Sequence, residues 1–587
     1  MKQFSNAEVA RELHEVAAAY TIRSGNLFQI RAYDSAADAI EHLTSEVKDL
    51  WEEGNLNQIP GVGESIQAHL EELFKTGKVK HWEEVKVGIP EQIFGFLEIP
   101  GIGPKTALKL AKLGVKSIYD LEDQLQTGAL IKKGVSKKMA QKLLTGLKMK
   151  SRLKSSRILL PYAFAQAEKV LEYLKKSPDV EKADALGSLR RMVATVGDLD
   201  FAIASKNPTK AVEHIVKMPG IYQVVERGDT KVTVKLPSGL QLDFLILADP
   251  GSYGALLQHF TGSKQHNIHL RTIAEKMGLS LSEYGVKKVQ SGEIIKCETE
   301  EEFYQLLGMQ TPPPEIREDT GEIEAALRQA QGKPNGLPKL IELKDVKGDL
   351  HIHSSFPIEP SHDLGADSIE EIIKEAKRLG YSYIGISDHQ PSVGNHTPAQ
   401  IISLIEKRTK LIEHINYSHK DIRVLNLLEV DITPSGEILV PEEALKMLDF
   451  VIAGVHSVHH QPKEELTKRI LKALENPYVK VLSHPTNRLL NEREASDADW
   501  PEVFKLAAAN NKALEINSFP NRLDLPDGLI KEAKSLGVKF VINTDSHEVN
   551  QMENMKFGIA VARRGWLEAS DVINSWDFKK FAEWFKI

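Results

Sequence analysis

Three carboxylates constrain this chain more than any other feature: Asp198 and Asp200 in Val-Gly-Asp-Leu-Asp, and Asp243 in Leu-Gln-Leu-Asp-Phe-Leu-Ile-Leu. Residues two apart on a strand project from one face. A strand here therefore presents Asp198 and Asp200 together, and the apolar run opened by Asp243 can pair beside it. Three acids on one sheet face repel one another unless cations lie between them, and oxygen donors of this kind suit Mg²⁺. Just upstream, Ala185-Leu186-Gly187-Ser188-Leu189-Arg190-Arg191 forms a small turn able to open a helix. Backbone N–H groups there, with the Ser188 hydroxyl and Arg191, can hold phosphate. A phosphate cradle followed by metal-binding acids is the layout of a nucleotidyl-transfer centre with two metals roughly 3.5–4 Å apart. Gly-Asp-Leu-Asp alone reads as a surface turn; the flanking Gly-Ser turn and Asp243 outweigh that reading.

The 587 residues call for several domains. One cysteine, Cys297, precludes an intrachain disulfide and points to an intracellular setting. It lies in a charged stretch and reads as a bystander thiol. With no apolar signal core and no long apolar run, a soluble, untargeted and hence cytoplasmic protein without membrane attachment is expected. The net charge of −7 hides an asymmetry: residues 1–100 hold 9 Lys/Arg against 17 Asp/Glu, whereas residues 101–157 hold 14 against 3. The basic block includes Lys105, Lys109, Lys112, Lys132, Lys133, Lys137, Lys138, Lys148, Lys150, Arg152 and Arg157. A solvated helix face normally mixes signs, so this block implies a polyanionic partner.

Two related segments sit in the first third: Gln58-Ile59-Pro60-Gly61-Val62-Gly63-Glu64 and Glu98-Ile99-Pro100-Gly101-Ile102-Gly103-Pro104-Lys105. In each, glycines allow a tight turn whose N–H groups face outward where a helix begins. This is a helix-hairpin-helix pattern, which grips nucleic-acid phosphate without reading bases. Gly61, Gly63, Gly101, Gly103 and Lys105 are its candidate DNA contacts.

Residues 346–587 alternate apolar strand-like runs with charged helices, which predicts a parallel β/α barrel. Potential metal ligands follow nearly every run: His351 and His353, His389, Glu429, His456, His484, Asp545 and His547. Such residues gather at one rim of a barrel. Nitrogen and carboxylate donors together suit Zn²⁺ or Mn²⁺ better than Mg²⁺. His396, His414, His419, His459 and His460 lie off this pattern.

Gly-Ser-Leu-Arg-Arg with Gly-Asp-Leu-Asp, then Phe-Thr-Gly-Ser-Lys-x-His-Asn, then the histidine set, resemble bacterial X-family DNA polymerases carrying a C-terminal PHP (polymerase and histidinol phosphatase) domain. The resemblance covers essentially the whole chain. It implies a multidomain α/β protein: N-terminal helix-hairpin-helix domains, a nucleotidyltransferase palm with a mixed sheet, and a β/α barrel. The expected divisions are 1–80 (first hairpin), 81–157 (basic, second hairpin), 158–248 (palm), 249–312 (nucleotide selection), 313–345 (linker) and 346–587 (PHP).

By that resemblance Asp198, Asp200 and Asp243 hold two Mg²⁺ ions, with Mn²⁺ as a substitute. Gly187, Ser188 and Arg191 grip the triphosphate, Phe260, Thr261 and Gly262 line the sugar, and Asn267 and Arg271 approach the nascent base pair and template. His351, His353, Glu429 and Asp545 hold one Mn²⁺ or Zn²⁺ ion; Glu429, His456 and His484 hold a second; His389 and His547 hold a third. The implied activities are gap-filling synthesis in repair from deoxynucleoside triphosphates on gapped or primed DNA, by a monomer, with 3′–5′ exonuclease, 3′-phosphatase and abasic-site endonuclease activity at the barrel.

The chain departs from the family in three places. His69 stands where lyase-active members place a nucleophilic lysine, so no Schiff-base lyase is expected. His259 replaces the tyrosine that precedes Phe-Thr-Gly in animal members. Ile358 occupies the acid position after the first histidine pair; Glu359, His362 or Asp363 can replace it, and Asp363 is preferred as the third-site ligand. Two other readings are a PHP-type repair nuclease with weak polymerase activity and a nucleotidyltransferase acting on another acceptor.

Overall fold

The computed structural model describes residues 157–587 except His460 and, between 4 and 144, all but residues 5, 24, 42–46, 53, 55, 60, 91, 98, 100, 101, 118, 119, 122, 123, 126, 128, 137, 138 and 141. Gly101, Lys137, Lys138, Lys148, Lys150, Arg152 and His460 thus lie outside the described residues. The chain divides into two compact units, Met1–Ser156 and Arg157–Ile587.

The first unit is helical. Asn6–Ile22 packs against Leu27–Glu41 through Val9, Leu13, Val16, Tyr33, Ala36 and Ile40. The first hairpin ends at Gly63, which caps helix Glu64–Thr76, and the second at Gly103, which caps Pro104–Lys112. Val62 and Ile102 are buried at corresponding places, so each hairpin anchors an apolar residue and leaves its cap glycine exposed. Gly61 has φ +83°, and a Cβ there would lie 2.9 Å from the Ala36 nitrogen. Conformation and close packing therefore both require glycine.

The second unit begins with a five-stranded sheet formed by β1 (Lys182–Ala185), β2 (Leu199–Ala204), β3 (Gln223–Arg227), β4 (Lys231–Lys235) and β5 (Gln241–Leu247), in the order β1-β2-β5-β4-β3. Only β2 and β5 run parallel; every other pair is antiparallel, giving the mixed sheet expected for the palm. Helix Leu160–Leu174 buries Ala163, Ala167, Val170 and Leu174, a helical spacing that gives it one apolar face. The chain around the first two aspartates forms two strands: Thr195–Val196 pairs with Ile158–Leu159 in a separate ribbon, and β2 starts after Gly197-Asp198. The exposed edge strand β3 has no buried face and hence no readable alternation.

Helices Tyr253–Thr261, Lys264–Lys276 and Glu300–Leu306 surround a small three-stranded sheet, with Leu270, Val286, Phe303 and Tyr304 in the core. Cys297 is buried among them, and that burial pushes its thiol up to about 11, which suits the bystander role. The tract 313–345, anticipated as a linker, is only partly extended. Helix Glu322–Ala330 buries Ile323 and Ala326 in the same core, and its one large buried apolar side chain is too little to announce a helix in a polar tract.

Seven parallel strands follow in sequential order: β6 (Gly348–Ile352), β7 (Tyr383–Ile386), β8 (Arg423–Asp431), β9 (Phe450–Gly454), β10 (Val479–Leu482), β11 (Ala513–Asn517) and β12 (Lys539–Asn543). Beyond the last strand, Ser546 bridges back to Ile352, and His353 N–H donates to the Ser546 carbonyl at 2.8 Å. The barrel is thereby nearly closed. One hydrophobic core runs from the palm helix into the barrel, with Phe164 edge-on to Phe557. Among the described residues, no helix is long and apolar enough to cross a membrane.

Candidate active sites

The parallel pairing of β2 and β5 sets Asp200 directly opposite Asp243. Asp198, just before β2, completes a group whose ligand oxygens all lie within 4.8 Å of one another. Asp243 is buried and anchored: Thr233 Oγ1 donates to its Oδ1 at 2.5 Å and Gln241 Nε2 to its Oδ2 at 2.7 Å. Burial, then the charges of Asp198 and Asp243, push the Asp200 carboxyl up to about 7, with Lys231 offsetting only part of this. A carboxylate penalised in this way is one that a cation would relieve, so the donor set fits divalent metal.

This yields a prediction about pH. In the metal-free protein Asp200 holds a proton below about pH 7, and a metal must displace it. The Mg²⁺ concentration giving half-maximal activity at this centre should therefore rise as pH falls from 8 to 6, by up to about tenfold per unit below 7. Mg²⁺ titrations at several pH values check this; a pH-independent midpoint would contradict the raised carboxyl.

The Gly-Ser turn packs against the acids. Helix Gly187–Arg190 starts with Gly187 at φ +57°, and a Cβ there would come within 2.7 Å of Asp200 Oδ2. Glycine lets the turn and the Asp200 carboxylate share this space. Arg190 and Arg191 tie the turn to the Phe-Thr-Gly segment. Arg190 Nη1 donates to Thr261 Oγ1 at 2.5 Å, and Arg191 Nη1 to the Thr261 carbonyl at 2.5 Å. Arg190 also pairs with Glu300, which Arg317 approaches from the other side. Burial alone would raise the Glu300 carboxyl, but the two arginines outweigh it and hold it at about 2.

Phe260 and Thr261 end their helix, and Gly262 follows at φ +68° with a cis bond to Ser263. His259 stands edge-on to Phe260, and burial lowers its pKa. Asn267 donates to the His259 carbonyl at 2.7 Å and accepts from Gln258 at 2.8 Å, whereas Arg271 is exposed.

The second cluster sits where the parallel barrel brings all its C-terminal strand ends together. Glu429, 1% exposed, is its centre. Its Oε1 lies 3.0 Å from His484 Nε2 and 3.2 Å from His456 Nε2; its Oε2 lies 3.1 Å from His351 Nε2 and 3.1 Å from His389 Nδ1. Asp545 Oδ1 is 3.2 Å from His353 Nε2. Ligand atoms converge in four groups: His351, His353, Glu429 and Asp545; His389, Glu429 and His456; His353, His389 and His547; and His362, Asp431 and His456. Sequence placed His484 with Glu429 and His456, and its 3.0 Å approach to Glu429 keeps it beside that group.

Several of these atoms are buried without a hydrogen-bond partner: His351 Nε2, His389 Nδ1, His547 Nε2 and Glu429 Oε2. Orphaned donors and acceptors that crowd one another are costly unless a cation joins them. His484 (φ +28°) and Asp545 (φ +55°) also hold left-handed backbone that such residues seldom adopt. Burial would raise the Glu429 carboxyl, but His351, His456 and His389 outweigh it and hold it well below the usual range. His389 is held well below the ordinary histidine range, chiefly by burial. The residues present thus fit a multinuclear metal centre.

Around Ile358 the structure separates the candidate substitutes. Ile358 itself is fully buried. Glu359 is drawn to His396 Nε2 at 2.8 Å. His362 Nε2 sits 3.0 Å from Asp431 Oδ1, which also lies 2.8 Å from His456 Nδ1. The largely exposed Asp363 carboxylate reaches within 3.7 Å of His547 Nε2.

Other residues of this centre were not singled out from sequence. Glu515 Oε1 lies 2.7 Å from His351 Nδ1 and its Oε2 accepts from His484 N–H at 2.7 Å, so it fixes two ligands from beneath. Arg493, Arg522 and Asn487 line the cavity of about 250 Å³ above the cluster, as does His459, which its sequence position had set apart. Two arginines in the cavity lining suit a phosphate-bearing substrate.

In the first unit, Lys105 is exposed beside Gly103, and a Cβ at Gly63 or Gly103 would meet nothing within 4 Å, so both cap positions are open. His69 stacks on His81 with centroids 5.0 Å apart, and its Nδ1 lies 2.9 Å from the Tyr33 hydroxyl. It presents an imidazole where a lyase would need an amine.

Comparison with known proteins agrees with this arrangement. Residues 4–79 match the helix-hairpin-helix domain, 95–149 the SAM-like helix-hairpin-helix tandem, 256–318 the DNA polymerase beta thumb and 349–519 the PHP domain. The chain is 34% identical over 587 residues, 99% of each protein, to the DNA polymerase/3′-5′ exonuclease PolX of Bacillus subtilis. The chain is 30% identical over 207 residues to a probable phosphatase of Acetivibrio thermocellus, covering 34% of this chain and 78% of that one. A probable phosphatase of Thermoanaerobacter sp. is 27% identical over 248 residues, covering 40% and 94%. With full-length similarity, thumb, hairpins and barrel all in one order, the chain belongs to the PHP-containing X-family DNA polymerases typified by PolX, enzymes that unite a polymerase with a metal-dependent phosphoesterase.

Proposed function

We propose that the chain fills short gaps in damaged DNA at the three-aspartate centre and trims or dephosphorylates 3′ ends at the barrel centre. The observation that carries this reading is the facing of Asp200 and Asp243 across parallel strands, with Asp198 beside them and Gly187 pressed against Asp200. Bound at the two centres, divalent cations supply neutralisation of phosphate oxygens and Lewis-acid activation of a hydroxyl; we assign Mg²⁺ to the aspartates and Mn²⁺ or Zn²⁺ to the barrel.

The chain's own residues do the rest. Gly187, Ser188 and Arg191 hold the triphosphate, the N–H groups of the turn supplying fixed donors. Phe260, Thr261 and Gly262 flank the sugar, with the segment braced by Arg190 and Arg191. Arg271, exposed on its helix, approaches the template, and Asn267 the nascent base pair. The hairpins at Gly61–Gly63 and around Gly103–Lys105 hold the duplex backbone on either side of a gap. In the barrel, Arg493 and Arg522 receive the phosphate, while Asp363 completes the third ligand group beside His389 and His547. Abasic-site cleavage is a further phosphodiester substrate for the same centre. The division at 80, 157, 248, 312 and 345 and a monomeric, nucleoid-associated state belong to this reading.

A duplex with a one-nucleotide gap and a 3′-phosphate on the upstream strand tests both centres in sequence. With Mn²⁺ and deoxynucleoside triphosphates, removal of the phosphate followed by addition of one nucleotide is expected, resolved by gel electrophoresis. Nucleotide addition that requires an added phosphatase would contradict the barrel assignment.

A further inference from the structure

Within the second unit, three charged side chains join the barrel to the nucleotide-binding turn. Arg564 closes the barrel helix Met555–Arg564, and its side chain is 9% exposed. Its Nη1 donates to the Arg191 carbonyl at 2.9 Å and to Glu318 Oε1 at 3.0 Å. The same Glu318 oxygen accepts from Arg191 Nε at 3.0 Å. One carboxylate oxygen is therefore shared by two guanidinium groups, one from the barrel and one from the residue that follows the Gly-Ser helix. Asp527 grips the other side of Arg564, its Oδ2 lying 2.8 Å from Nε and 2.6 Å from Nη2. The neighbouring Arg563 pairs with Glu315 at 2.8 Å, so the strap from Glu315 to Glu318 is pinned twice to one helix.

This arrangement solves an electrostatic conflict. Arg191 has to meet a polyanion, yet it sits against a carboxylate that lowers the local positive potential and competes for its donors. In a largely buried setting such an opposition is stronger than at the surface. Arg564 takes a share of Glu318 and fixes the Arg191 backbone through its carbonyl. We infer that Arg564 is a positioning residue for nucleotide addition: from the phosphoesterase barrel it neutralises Glu318 and so sets how freely Arg191 engages the triphosphate. This rests on the proposed contact of Arg191 with the triphosphate. It makes the barrel a part of the polymerase centre, not only a second enzyme on the same chain.

The test is steady-state addition of one nucleotide to gapped DNA with Mg²⁺, using the full-length chain. Arg564→Gln is expected to raise KM for the incoming nucleotide about tenfold with kcat within about threefold, the size of an ordinary coupling between sites. Glu318→Gln in the Arg564→Gln background should bring KM back to within about threefold of the parent, because the side chain that touches Arg191 is then neutral; Asp527, the other partner of Arg564, pairs with Arg564 and not with Arg191. Arg564→Lys, which keeps the charge but loses the fork, should fall between. The 3′–5′ exonuclease rate on single-stranded DNA with Mn²⁺ should stay within about twofold in each variant and so report an intact barrel. An unchanged KM in Arg564→Gln overturns the proposal. So does a rise that Glu318→Gln fails to relieve, or a parallel loss of exonuclease, since both mark a packing defect. Arg191→Gln separates the underlying reading: if that variant leaves KM unmoved, Arg191 does not meet the triphosphate and both ideas fall. If it raises KM while Arg564→Gln does not, only the role of Arg564 is lost.

Discussion

Replacing Asp200 by alanine is expected to reduce primer extension on gapped DNA by about a thousandfold or more, equivalent to at least about 4 kcal/mol of transition-state stabilisation. The reason lies in the register. Asp200 faces Asp243 across parallel strands and stands beside Asp198, so it contributes to the whole ligand group and cannot be replaced by a neighbour. The same change removes the carboxyl that burial and two adjacent acids hold near 7. Relieving that repulsion should leave the fold at least as stable, so the loss of activity should come with an unchanged or raised Tm. Single-turnover extension and thermal unfolding of the same sample distinguish a lost ligand from a lost fold. The 3′–5′ exonuclease, whose residues lie in the barrel, should be retained.

The second large effect is expected at Glu429. Its two oxygens touch His351, His389, His456 and His484 at 3.0–3.2 Å, and it belongs to two of the four ligand groups of the barrel. Glu429→Gln keeps the shape but removes the charge that offsets the bound cations. Exonuclease and 3′-phosphatase activity should fall about a thousandfold or more. Mass spectrometry of the dialysed protein should find at least one fewer ion per chain, a readout independent of activity. Full metal content together with full exonuclease activity would remove Glu429 from the centre. Gap filling from a free 3′-hydroxyl should persist, because the aspartate cluster uses none of these ligands.

The contrast between these two centres explains what could be read from sequence. The aspartates were legible because a two-residue spacing survives as a shared face, and because β2 and β5 are both short apolar runs that announce themselves. The barrel ligands were legible because each follows an apolar run, and parallel strands put such positions on one rim. Glu515 was not, although it touches His351 and His484. It lies inside Ala-Leu-Glu-Ile-Asn, where a carboxylate looks like an ordinary strand residue and its partners are over 30 or 160 positions away. His459 and Asn487 enter the cavity from loops whose course no periodicity dictates.

The stretch around Ile358 shows a different limit. Sequence offered three substitutes for a missing acid, and only the turn geometry distinguishes them. Glu359 takes φ +54° and swings to His396, while Asp363 remains on the side of His547. The helix inside the 313–345 tract was hidden for a third reason: it buries a single isoleucine and small alanines, too little apolar volume to stand out from a polar spacer. Its ion pairs with Arg563 and Arg564 join residues about 250 positions apart.

A single gapped duplex bearing a 3′-phosphate, offered with Mn²⁺ and nucleotides to Asp200→Ala and Glu429→Gln side by side, addresses the claim of two separate metal centres most directly. The first variant should strip the phosphate and stop; the second should leave the phosphate in place yet extend a primer supplied with a free 3′-hydroxyl. Loss of both reactions in either variant, with the protein still folded, would mean that one centre performs both chemistries.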